Sequence, residues 1–332
     1  MTSFNTVGQM PLNAFVDAVN GIYGDKDGKR SIWDVWMHAN HHASGIAEEI
    51  RKRASWCKLR TEIADFAMWL LTAVHKLEGE VGVPKPGDGE QESVIRIGHK
   101  YSDLLWNKFP GCWPLCYWRR SGGDREKERE PGFCNPCDCL HHEIEELGKA
   151  ERRKHVMGLR NFSKGNRELQ PQGIDEWQRM FANIFSASLR HLNLTDIAFH
   201  LLEEMGKVSD ALVRTYTYTE NEWVYAEPLW RQIFLEDGLA DVSSRLFMLV
   251  EKLEILRRSP IEDRSPSRLL IDIGETPLKL SGIIWQRYGP DDLGEFICPI
   301  DQAKACGCPI IFVPSDRSVK DLRDMIDDVL PT

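Results

Sequence analysis

The chain has 332 residues, 42% of them hydrophobic, and carries a net charge of −9 at pH 7. That length suits about two domains of ordinary size, each able to bury a core. The acidic balance argues against a nucleic-acid-coating role, which needs clustered Lys and Arg, and no apolar run approaches the ~18 residues of a membrane helix.

Residues Met1 to Gln9 lack the basic and apolar regions of a signal peptide, so a cytoplasmic setting is expected. There, clustered cysteines more often hold metal than form disulfides. A first helix is predicted near Leu12 to Tyr23, broken at Gly24-Asp25-Lys26-Asp27-Gly28. Ser31, with Asp34 three positions on, reads as the cap of a second helix reaching about Ser55. A third runs from about Lys58 to Lys76, with Ile63, Phe66, Ala67, Leu70, Leu71 and Val74 as a wide apolar face. The stretch Gly82 to Gly89 is a loop, and a fourth helix is predicted from Val94 to Lys108, stopped by Phe109-Pro110-Gly111.

A cysteine-rich insert (112–142) follows, then a connecting helix and linker (143–170). Helices are next predicted at Asp175 to Leu192, Thr195 to Arg214, Pro228 to Leu256 and Pro277 to Tyr288. The end (291–332) carries more cysteines, a short strand at Ile310 to Val313 and an acidic helix at Val319 to Leu330. The expected fold is mainly α: two helical modules, 1–111 and 171–290, with small zinc-ribbon-like inserts and a strand–helix tail.

The two modules read as copies of one unit. Asp34 and His38, followed by His41 and His42, match Asp196 and His200, followed by Glu203 and Glu204, at a constant offset of 162 residues. The same offset carries Phe15, Val19, Ile22 and Tyr23 onto Trp177, Phe181, Ile184 and Phe185. Further on, Leu104-Leu105-Trp106-Asn107-Lys108-Phe109 recurs in kind as Ile283-Ile284-Trp285-Gln286-Arg287-Tyr288. Two blocks in the same order point to a duplication.

Cysteines follow the fourth helix in both copies. In the first, Cys112 and Cys116 precede Cys134, Cys137 and Cys139, with His141 and His142 beyond. Zinc takes four tetrahedral S or N ligands, and Cys112, Cys116, Cys137 and Cys139 are the expected set, with Cys134 as substitute. In the second, Cys298, Cys306 and Cys308 either bind zinc with Asp301 or are metal-free thiols. Neither insert shows the HExxH or deaminase-like signature of a catalytic zinc.

Residues three apart on a helix share a face, so Glu62 and Asp65 project together, within Thr61-Glu62-Ile63-Ala64-Asp65. The other copy reads Gly238-Leu239-Ala240-Asp241-Val242, preceded on the neighbouring helix by Leu201-Leu202-Glu203-Glu204-Met205-Gly206. These motifs resemble the all-α nucleoside triphosphate pyrophosphohydrolases, the MazG-like family, with its EExxE helix followed by an ExxD helix. The resemblance covers about two stretches of 100 residues and implies Mg²⁺-dependent cleavage of a nucleotide to the monophosphate and pyrophosphate. It assigns the metal-binding and catalytic role to Glu62, Asp65, Glu203, Glu204 and Asp241, and phosphate contact to Lys108 and Arg287.

Neither copy is complete. His41 and His42 stand where the paired glutamates belong and Gly45 replaces the third acid; in the other copy Lys207 and Gly238 replace acids. A lysine beside a divalent-ion position costs several kcal/mol in a dry site. Three readings follow: a diverged nucleotide-binding or structural pair, a composite site joining Glu203 and Glu204 to Glu62 and Asp65 (or using Glu48, Glu49 or Glu236), or merely solvated helix faces. His41 and His42 are either metal ligands or a surface pair. The partners to expect are a nucleotide and either a second copy of the chain or a larger assembly, with no membrane.

Overall fold

The computed structural model describes residues 7–27, 29–53, 55–78, 97–111, 149–217, 228–259 and 277–289. The expected zinc ligands Cys112, Cys116, Cys134, Cys137, Cys139, Cys298, Cys306 and Cys308 lie outside them, as do the strand and helix expected in the tail. The described chain is mainly helical, with ten α-helices and one short 3-10 turn. No described helix is long and apolar enough to cross a membrane.

The helices are α1 (Leu12–Asp27), α2 (Ile32–Lys52), α3 (Trp56–Leu77), α4 (Tyr101–Lys108), α5 (Lys149–Gly165), α6 (Ile174–Ile184), α7 (Ser186–His191), α8 (Leu194–Thr217), α9 (Pro228–Arg258) and α10 (Leu280–Tyr288). Helix α2 starts where the sequence places it. Ser31 Oγ accepts from the Asp34 backbone N–H (3.1 Å), and Asp34 Oδ2 accepts from the Ser31 backbone N–H (3.0 Å). The same reciprocal box opens α8: the Asp196 N–H donates to Asn193 Oδ1 (2.9 Å) and the Asn193 N–H to Asp196 Oδ2 (3.0 Å). Asp34 and Asp196 therefore act as helix starters. Arg53, left-handed at φ 53°, closes α2.

Three boundaries differ from expectation. Helix α1 continues through Gly24, whose cost of about 1 kcal/mol in a helix is outweighed by burial of the preceding Ile22 and the packing of Tyr23 on the core. Helix α4 begins at Tyr101. The described residues before it are held otherwise: Ile97 bridges to Glu78, and the Gly98 N–H and the His99 ring are held by Glu236. The helix predicted over Asp175 to Leu192 is two helices, parted at Phe185, whose buried ring stacks on Phe181.

Helices α2 and α3 form one packed pair and α8 and α9 another, and the pairs meet through α2 and α8. Trp36 Nε1 donates to Ser209 Oγ across that seam (2.9 Å). Helix α1 lies on α3, as α6 lies on α9. The short helices cross over: α4 packs on α9 of the other half, and α10 on α3. Every one of these contacts has its counterpart under the exchange of α1, α2, α3, α4 with α6, α8, α9, α10. A single apolar core runs through both halves, with Phe15, Trp36, Phe109, Trp177, Phe181 and Phe185 fully enclosed. Each such side chain contributes ~1.5–3 kcal/mol of burial.

Candidate functional site

The crossing of α4 and α10 brings each fourth-helix base to the acidic motif of the other half. Helix α10 delivers Arg287 to Asp65, with Nε 3.1 Å from Oδ1 and Nη2 3.2 Å from Oδ2. Tyr288 Oη adds a 2.5 Å hydrogen bond to Asp65 Oδ1. Helix α4 delivers Lys108 to Asp241 (2.5 Å), where Nζ also donates to the Asp237 carbonyl (3.1 Å). Burial works against both cations. The neighbouring carboxylates more than offset it, so Lys108 and Arg287 both titrate above their ordinary ranges. Burial, then Asp65, pushes the Tyr288 phenol well up, so it donates as a neutral hydroxyl.

Around Asp65 the first site is built from α2 and α3. Glu62, one turn before Asp65, meets His42 Nδ1 at 2.8 Å. A side chain at position 45 would collide with the Glu62 carboxylate, so Gly45 provides the room in which Glu62 crosses to α2. One turn after Asp65, Trp69 carries His38 stacked on its ring (centroids 4.3 Å apart, 13° between planes) and the Arg30 guanidinium 5.1 Å from its centroid. His41 and His42 stand edge to face, 5.1 Å apart. Burial lowers the His38 pKa, followed by repulsion from Arg30, His42 and His41, with Asp34 opposing.

The second site, around Asp241, is built from α8 and α9. Lys207 Nζ lies 3.0 Å from Glu203 Oε1 and 3.4 Å from Glu204 Oε2. The Lys207 hydrogen bond pulls Glu203 below the usual carboxylate range. Glu204 is only 5% exposed; its Oε2 makes no hydrogen bond, and Arg245 is 3.9 Å from Oε1. Burial, then Asp241, raises the Glu204 pKa, while Lys207, Arg245 and Lys108 act the other way. Burial also raises Asp237. Gly238 is where α9 presses on α8: a Cβ there would sit 2.7 Å from Val208 Cγ2.

Of the stand-in acids, Glu236 is fully engaged. It accepts from Gly98 N (3.1 Å), His99 Nδ1 (2.9 Å), Gln232 Nε2 (2.8 Å) and Arg160 Nη2 (2.5 Å). Glu48 pairs with Lys52 one turn on, and Glu49 Oε2 is buried without a hydrogen bond. The structure thus gives Glu62 and Asp65 one set of neighbours and Glu203, Glu204 and Asp241 another. Among the described residues, no group of three or more His, Cys, Asp or Glu side chains is arranged to hold a metal ion.

The donor sets fit magnesium poorly. Each motif carboxylate faces a protein nitrogen, and a divalent ion about 4 Å from one such cation would meet ~8 kcal/mol of repulsion at an effective dielectric of ~20. Sequence reasoning missed Tyr288, Arg245 and the His38–Trp69–Arg30 stack. Trp69 and Arg245 were reachable by helical spacing, at one turn past Asp65 and Asp241. The Tyr288 hydroxyl was not, because its position in the repeat matches Phe109. No family model, curated protein or solved structure matches this chain.

Proposed function

We propose that the chain is a tandem duplication of a MazG-like helical module whose own lysine and arginine side chains stand where hydrolytic relatives hold magnesium, and that it binds nucleotides without cleaving them. The observation that carries this reading is the reciprocal pair of bridges, Lys108 to Asp241 and Arg287 to Asp65. Equivalent helices cross between halves and quench equivalent acids. Lys207 completes the quenching in the second copy. In the first, His41 and His42 stand where the second copy has Glu203 and Glu204, so a pair of bases replaces a pair of acids.

The test is a panel of nucleoside triphosphates with Mg²⁺ or Mn²⁺, with binding and pyrophosphate release read in the same samples. Saturable binding without pyrophosphate is the expected result. Release of pyrophosphate that is lost in Glu204→Gln or Asp65→Asn would overturn it, and absence of any nucleotide binding would leave a scaffold. Zinc belongs to the same proposal as a structural ion on Cys112, Cys116, Cys137 and Cys139, with Cys298, Cys306 and Cys308 as the second candidate set. Elemental analysis of the purified chain should find about one to two zinc ions per chain, filled during folding.

A further inference from the structure

The first site has exchanged more than its metal ligands. Three histidines one turn or less apart on α2, His38, His41 and His42, stand with Arg30 beside an acidic motif whose charge is already spent. Asp65 takes Arg287 and Tyr288, and Glu62 takes His42. We propose that this site binds a tetrahedral dianion, the phosphate group of a phosphomonoester or inorganic phosphate, directly on His38, His41 and His42 beside Arg30 and without a divalent metal. The inference rests on the reading that the first site is not a magnesium site.

Three features of the geometry support it. The donors are held in place: His38 lies flat on Trp69 and the Arg30 guanidinium is over the same ring. With Nδ1 on Glu62, His42 has Nε2 as its ligand-facing nitrogen, the arrangement that fixes a histidine's tautomer and orientation. In addition, the Arg30 guanidinium places a fixed positive charge beside the histidines, one that a dianion would pair with. The charged groups that surround it are Asp34, Glu62 and Asp65 against Arg30, Arg287 and the histidines, with Tyr23 and Tyr288 as phenols. The equivalent positions on α8 are Glu203 and Glu204, so the second site serves as an internal control.

The experiment uses the full chain with a chelator present and adds inorganic phosphate or a nucleoside monophosphate while histidine ring resonances are followed by NMR. The His38, His41 and His42 signals should shift saturably, while His75, His191 and His200 stay. The double change His41→Glu and His42→Glu should weaken binding at least about tenfold, a loss of ~1.4 kcal/mol. If that variant fails to fold, His41→Asn, at an exposed position, should still weaken it measurably. Tighter binding of the monophosphate identifies the ligand as a phosphomonoester, and equal binding identifies free phosphate; both support the site. No shift at millimolar phosphate, a uniform shift of all histidines, or unchanged affinity in the variants would overturn it. Pyrophosphate release that survives Asp65→Asn would instead sink the non-hydrolytic reading and leave this result standing, whereas release lost in Asp65→Asn would overturn both.

Discussion

The two sites occupy matching places in the fold and have neutralised their acids by different means. At the first, the quenching groups are a half-exposed arginine, a buried phenol and an imidazole, and both motif acids are well paired. At the second, a largely buried lysine serves Asp241 while Glu204 keeps one oxygen without a hydrogen bond. The lesson is that acids in matching places can be neutralised in different ways, each by whichever base the packing brings within reach. The second site is strained, with Glu204 and Asp237 both raised mainly by burial.

The widest separation between the sites should come from deleting the crossing bases. Lys108→Ala strips the cation from a pocket holding Asp241, Asp237 and Glu204, and removing one partner of a buried pair costs about 3–5 kcal/mol. Arg287→Ala leaves Asp65 its Tyr288 hydrogen bond and removes a side chain that is 38% exposed. Its cost, discounted for solvent screening, is about 1 kcal/mol. Denaturant unfolding of the two variants measures the difference. Equal losses would mean that the sites do not differ in the way described.

Acid titration sharpens the same contrast. Glu236 and Glu254 are buried and held below the ordinary carboxylate range, Glu236 by His99 and Arg160, Glu254 by Arg257, Arg258 and the Leu278 N–H, with burial opposing in both. Their contribution is present above the unfolded carboxylate pKa and is lost as pH falls through their lower folded values. Glu204 and Asp237 run the other way. Their folded pKa values are raised, so stability rises as pH falls through the window above the unfolded value. Stability should therefore hold or climb slightly on mild acidification before it collapses. Glu204→Gln should remove part of that climb, and a monotonic fall in the parent would contradict the strain assigned to the second site.

Adding acids tests whether the second site can take a metal ion. Lys207→Glu restores one carboxylate, but Gly238→Glu forces a Cβ against Val208, an overpacking cost of about 1–3 kcal/mol. The double variant should melt lower than the parent, and adding Val208→Ala should return part of the loss. Mn²⁺-dependent stabilisation of that triple variant, absent in the parent, would mark the site as a degenerate metal centre.

Much of this was legible in the sequence. Apolar periodicity gave α2, α3, α8 and α9 to within three residues at each end, and Ser31 with Asp34 marked a helix start. Helix α4 is shorter than its pattern predicts because Gly98 and His99 are held by Glu236, 138 and 137 residues away, and local pattern carries no trace of that. The crossing of α4 and α10 was hidden for the same reason. Lys108 and Asp241 are 133 residues apart and Arg287 and Asp65 are 222 apart. The sequence match pairs these residues with one another, and packing alone brings each base to the other half.

The smallest effect bears most directly on the duplication. Ser31 and Asn193 occupy the same register before α2 and α8, and each shares its box with the acid three residues on. Replacing either by Ala removes a side-chain acceptor from an otherwise unpaired helix-start N–H, at a cost of about 1 kcal/mol. Neither Ser31 nor Asn193 belongs to the apolar core, so the losses should be nearly equal and additive in the double variant, as expected for separated positions. Asp34→Ala and Asp196→Ala should follow the same rule with smaller losses. Equilibrium unfolding of the four variants decides the point. Matched losses fit two copies of one starting device, whereas a cap that matters in one half alone would mean that the resemblance between these helix starts ends at their sequence.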